Sequence, residues 1–232
     1  MTNILLPGIE VATSDPVTAS VIWLHGLGAD GNDFVPVVNE LGLPRQLAVR
    51  FIFPHAPMQP VTINNGYVMR AWYDVMNPDF SFREDEAGVR RSQGELEKLI
   101  ANEKNRGVKT SRIVLAGFSQ GGAMALHTGL RHPDRLAGIM ALSGYLPLAS
   151  TLAAEASAAS REVPIFMAHG TSDPLIPFPL ASLSRGHLEQ LGYQVEWHQY
   201  PMAHSVCVEE IQDIGSWLAR ILAQRASPRS FK

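Results

Sequence analysis

Residues 115–123 read "LAGFSQGGA", and they set Ser119 between Gly117 and Gly121 with Gly122 directly behind. One turn needs a single glycine where φ must be positive, so three around one serine mean backbone crowded on both flanks. The run "RIVLAG" (112–117) before the serine reads as a buried strand, and "QGGAMALHTGLRH" after it reads as a helix ended by Pro133. Ser119 therefore sits at a sharp strand-to-helix turn. Gly117, Phe118, Ser119, Gln120 and Gly121 form the Gly-x-Ser-x-Gly pattern of a nucleophile elbow, in which small flanking residues let strand and helix approach closely. The competing interpretation of the same residues is a glycine-rich turn with a capping serine.

The chain around this turn alternates strand and helix. Apolar runs at 19–24, 49–54, 112–117, 138–143 and 164–169 are almost continuous, as strands buried on both faces of a parallel sheet are. The run "VEWHQY" (195–200) is more mixed and is expected at a sheet edge. Helical patterns cover 84–106, the residues after Ser119, 179–191 and 206–224, with acids crowding the start of the first. This alternation predicts a doubly wound α/β sheet. Residues 55–83 carry prolines, aromatics and methionines without a clean period and read as a packed excursion that could wall a pocket. Residues 149–161 fit a surface helix or a connector, and a frayed tail is expected over 226–232, leaving a single domain over 1–225.

Composition narrows the function. The 232 residues are 46% hydrophobic, enough to bury a full core, and the net charge of −3 offers no basic face for nucleic acid. No apolar segment reaches the roughly 20 residues that cross a bilayer, and no leader is visible, so a cytoplasmic protein without integral membrane association is expected. The single Cys207 excludes an internal disulfide and a paired-cysteine metal site.

A serine hydroxyl needs a base, and the base needs a carboxylate to fix its tautomer. On this fold they follow in the order Ser, Asp, His. "GTSDPLIP" places Asp173 in the loop after the 164–169 strand, and "PMAHSVCVEE" places His204 in the loop after 195–200, with Ser205 a candidate cap of the final helix. The competitors fit less well. Asp134 and Asp213 fall on helices or their ends, as do His127, His132 and His187, while His198 falls within a strand. His25, His169, His204 and Cys207 lack metal-ligand spacing, so no metal is expected. "VIWLHGLGADGNDF" supplies a glycine-rich loop after the first core strand, whose Leu27 amide is the candidate first donor to an oxyanion, with the Gln120 amide as the second.

These residues also carry a resemblance. "LHGLGADGNDF", "FPHAP", "AWYD", "GFSQGGAMAL", "LSGYLP", "HGTSDPLIP" and "MAHSV" run from near residue 20 to the final helix in the order found in the phospholipase/carboxylesterase family of small carboxylesterases and acyl-protein thioesterases. The resemblance implies an α/β-hydrolase fold with a minimal cap, a triad of Ser119, Asp173 and His204, oxyanion donors at Leu27 and Gln120, and no cofactor. It also sets Trp72 and Tyr73 near an acyl-binding groove, with Leu175 counted among the substrate-binding candidates. Some members are homodimers, so a dimer fits. The related dienelactone hydrolases carry cysteine at the elbow, where this chain has Ser119. The expected activity is hydrolysis of short to medium acyl esters through an acyl-enzyme. The alternative is a thioesterase or lysophospholipase acting on long acyl chains. Peptidase, lipase or acyltransferase chemistry and a binding protein without catalysis are the other classes weighed.

Overall fold

The structure is a computed structural model and describes residues 4–77 and 84–223. The expected tail at 226–232, and part of the 55–83 excursion, lie outside the described residues.

In chain order the strands are β1 (Gly8–Ala12), β2 (Ala19–Leu24), β3 (Val49–Pro54), β4 (Met58–Val61), β5 (Tyr67–Arg70), β6 (Ile113–Phe118), β7 (Gly138–Leu142), β8 (Ile165–Gly170) and β9 (Val195–Tyr200). The helices are α1 (Glu86–Asn105), α2 (Gln120–Arg131), α3 (Ala149–Glu155), α4 (Phe178–Gln190) and α5 (Val208–Leu222). Seven strands form one sheet in the order β1-β3-β2-β6-β7-β8-β9, parallel except for β1, which runs antiparallel to β3. The mixed β9 lies at the edge, as its polarity foretold.

Alternation along each central strand feeds two cores. Ile22, Leu24, Ile113 and Leu115 pack with Leu96, Met124, Leu152 and Leu188, so α1 to α4 contribute to one core. Val21, Trp23, Val114 and Ala116 pack with Ile214, Trp217 and Leu218 of α5 in the other. Strands covered on both faces have no solvent side, which is why their sequences read as unbroken apolar runs. Burying this much apolar surface, at about 25 cal/mol per Å², is the main force holding the sheet.

Two elements were not foreseen. β1 is a short edge strand of alternating exposure. β4 and β5 form a separate antiparallel hairpin inside the 55–83 excursion, closed by Asn65 (φ 55°) and Gly66 (φ 75°). Residues 149–155 form the helix α3, which resolves the alternative between helix and connector. α5 begins after Cys207, not at the expected Ser205 cap.

Candidate active site

The turn between β6 and α2 is as tight as its glycines imply. A Cβ on Gly117 would stand 2.2 Å from the Gly121 carbonyl, and one on Gly121 would stand 2.3 Å from the Leu24 oxygen. Neither position has room for a side chain. Between them Ser119 adopts φ 55° and ψ −120°, a conformation that L-residues avoid, while its amide is tied to the Leu142 carbonyl at 2.8 Å. Strand pairing on one side and the helix on the other hold the serine in that strained geometry.

Asp173 and His204 come from the loops after β8 and β9. Nδ1 of His204 lies 2.7 Å from Oδ2 of Asp173, whose side chain is fully buried. The other oxygen, Oδ1, accepts the Leu175 and Ile176 amides at 2.8 and 2.9 Å. Because Nδ1 faces a carboxylate it carries the proton, which leaves Nε2 as the basic nitrogen. The ring rests on Phe118, with centroids 4.7 Å apart. Ser119 and His204 line the same cavity of about 510 Å³, a size suited to a small-molecule substrate. Among the described residues no hydrogen bond yet joins Ser119 to His204; such bonds commonly close only around a substrate.

The glycine-rich loop after β2 is pinned by two histidines. His25 donates from Nδ1 to the Gly26 oxygen at 2.7 Å and accepts the Ala56 amide on Nε2 at 3.0 Å, and burial lowers its pKa, keeping the ring neutral. Nδ1 of His55 accepts the Gly31 amide at 3.0 Å. Gly28 takes a positive φ of 78° and its amide bonds to Arg70. Leu27 between them lines the cavity, and neither its amide nor that of Gln120 donates to a protein acceptor among the described residues. Both N–H groups are thus available, the second at the positive end of α2.

The side chain of Gln120 has a role that local sequence did not reveal. Its Oε1 accepts the Trp72 amide at 2.8 Å and its Nε2 donates to the Tyr73 oxygen at 2.7 Å, so one buried amide clamps the "AWYD" backbone. Trp72 is placed differently from its expected part in substrate binding. It is buried and is not among the residues lining the cavity, its indole donating to the His25 oxygen at 2.9 Å and its own carbonyl accepting the Ser92 hydroxyl. Tyr73 does line the cavity, its hydroxyl 2.9 Å from that of Tyr145. Leu175 also lines it, 62% exposed at the mouth. A second missed residue is His169 of β8. Its Nε2 donates to the Ile176 oxygen at 2.8 Å and lies 3.4 Å from Oδ2 of Asp173. Burial lowers its pKa as well.

The phospholipase/carboxylesterase family model matches residues 9–222 of this sequence. The chain belongs to the phospholipase/carboxylesterase family. It is 40% identical over 217 residues to acyl-protein thioesterase 1 of Yarrowia lipolytica, covering 91% of this chain and 96% of that protein. It is 42% identical to acyl-protein thioesterase 1 of Neurospora crassa over 218 residues, 90% of this chain and 89% of the relative. A crystal structure of Arabidopsis thaliana SOBER1 superposes with a TM-score of 0.84 at 32% identity, covering 89% of this chain and all of that one. Membership in this family of α/β-hydrolases makes the protein a serine hydrolase of esters or thioesters. Among its described residues no helix is long and apolar enough to cross a membrane.

Proposed function

We propose that this phospholipase/carboxylesterase family member hydrolyses carboxylic esters of short to medium acyl chains, with Ser119 as nucleophile. The observation that carries the reading is the 2.7 Å pair of His204 and buried Asp173 opening on the cavity that the strained Ser119 also lines. His204 takes the hydroxyl proton as Ser119 attacks the carbonyl carbon. The Leu27 and Gln120 amides receive the oxyanion, and Asp173 stabilises the imidazolium. His204 then protonates the departing group, and the acyl-enzyme is cleared by water through the same steps in reverse.

The acyl chain has an apolar wall in Val75, Ile63, Ile176 and Leu175, closed by Tyr73 and Tyr145. Burial raises the pKa of both tyrosines, so their paired hydroxyls stay neutral. A second reading, cleavage of long acyl chains from protein thiols, draws on the names of the relatives.

The test is kcat/KM for p-nitrophenyl esters of rising acyl length, with Ser119→Ala as the blank. Each buried methylene contributes up to about 0.8 kcal/mol, roughly fourfold per carbon until the wall is filled. A peak at short or medium chains supports the ester reading, and a rise that continues through long chains favours the second. Turnover that survives in Ser119→Ala removes both.

A further inference from the structure

Seen from Ser119, the cavity carries one unbalanced charge. Asp33 lines it beside Gly26, Leu27 and Ala29, and no lysine or arginine among the described residues does. Asp33 is an exposed residue whose carboxylate sits partly within the cavity and takes part in no ion pair or hydrogen bond among the described residues. Its neighbour Asp30 is already satisfied by the amide and side chain of Asn32, at 2.7 and 2.9 Å. Partial burial, and secondly Asp30, raise the pKa of Asp33, as expected for a carboxylate with no cation beside it.

A chain of rings connects its neighbour to the base. Phe34, the next residue, lies 5.6 Å from Phe118 between centroids, and Phe118 lies 4.7 Å from His204. Asp33 and His204 thus line one cavity and are linked through packed rings at its wall. The group that His204 protonates as it departs leaves through this same cavity, within reach of the Asp33 charge.

We propose that Asp33 sets the charge preference for the leaving group, favouring esters and thioesters whose alcohol or thiol portion bears a cation and disfavouring anionic ones. This rests on the assignment of Ser119 and His204. A carboxylate in such a partly solvated site acts over several ångströms and is weakened by salt.

The test uses three butyrate esters that share one acyl group: butyrylcholine, its uncharged isostere 3,3-dimethylbutyl butyrate, and the anionic 3-sulfopropyl butyrate. In wild type at low salt, kcat/KM is expected to fall in that order by about three- to tenfold per step, and the spread to shrink at 0.5 M salt. The ratios should collapse in Asp33→Asn and reverse in Asp33→Lys. Because the readout is a ratio between esters, a general loss of activity in a variant does not mimic it. Equal rates for the three esters in wild type, or ratios unchanged in Asp33→Asn, overturn the proposal. Hydrolysis of the uncharged ester that persists in Ser119→Ala overturns instead the assignment on which it rests, and the proposal falls with it.

Discussion

Nδ1 of His204 stands 2.7 Å from Oδ2 of Asp173, and the carboxylate is wholly shut off from solvent. In Asp173→Asn the amide can still accept the Leu175 and Ile176 amides through its oxygen, so the loop keeps its shape. Its NH2 would then face Nδ1 and drive the proton to Nε2, the wrong nitrogen for a base. The expected outcome is a fall in kcat of about 10³- to 10⁴-fold, with KM and melting temperature little changed. Steady-state kinetics beside a thermal melt check both halves.

His169 braces the loop that carries the same carboxylate, its Nε2 donating to Ile176 O and standing 3.4 Å from Asp173 Oδ2. His169→Phe removes that donor and leaves the buried Ile176 oxygen short of a partner, loosening the loop that holds Asp173, whereas His169→Gln can restore one. The Phe variant is expected to lose kcat by about tenfold or more, and the Gln variant to recover part of it. Equal kcat in the two variants would assign His169 to packing alone.

The clamp made by Gln120 couples one oxyanion donor to the cavity wall. Gln120→Ala strands the Trp72 amide and Tyr73 carbonyl in a buried setting, at a cost of about 2–4 kcal/mol of stability for the two groups. Loosening of Tyr73 should raise KM more for esters with longer acyl chains than for acetate. Denaturant unfolding and KM across two chain lengths measure these separately.

Glu210 supplies a pH dependence of stability. Its carboxyl is fully buried near the start of α5, and burial, opposed by the Cys207 backbone and reinforced by Asp213, pushes its pKa up to about 8. The folded state therefore holds a proton that the unfolded chain releases near pH 4 to 5, so stability is full below that range and declines as pH rises toward 8. The loss is on the order of 4 kcal/mol. Glu210→Gln mimics the protonated form and should flatten this decline, with melting temperatures above wild type at pH 8 and similar at pH 5.

Much of this was legible in the sequence because both faces of the central sheet are covered. Five strands show as continuous apolar runs, and the glycines around Ser119 mark close backbone approach that no other residue permits. β1 escaped because its alternation is only five residues long and turns just Ile9 and Val11 toward the core, too short a pattern to stand out in sequence. The β4–β5 hairpin does leave a local signal, the Asn65-Gly66 pair, which suits a tight turn of positive φ, but the mixed prolines and aromatics around it mask the strands. Trp72 and Tyr73 are adjacent in sequence but point to different surroundings, one to the His25 carbonyl and one to the cavity. The Gln120 clamp spans 48 residues and the His169 contact depends on which nitrogen faces which oxygen. Neither leaves a periodic or compositional trace.

The central claim is that Ser119 forms the covalent acyl-enzyme. Its most direct test is intact-mass and peptide-mapping spectrometry after reaction with a fluorophosphonate probe, run on wild type and on Ser119→Ala. The account predicts one equivalent of adduct in wild type, on the peptide that contains Ser119, and none in the variant. Adduct on another residue of wild type, or equal labelling of the variant, would contradict it.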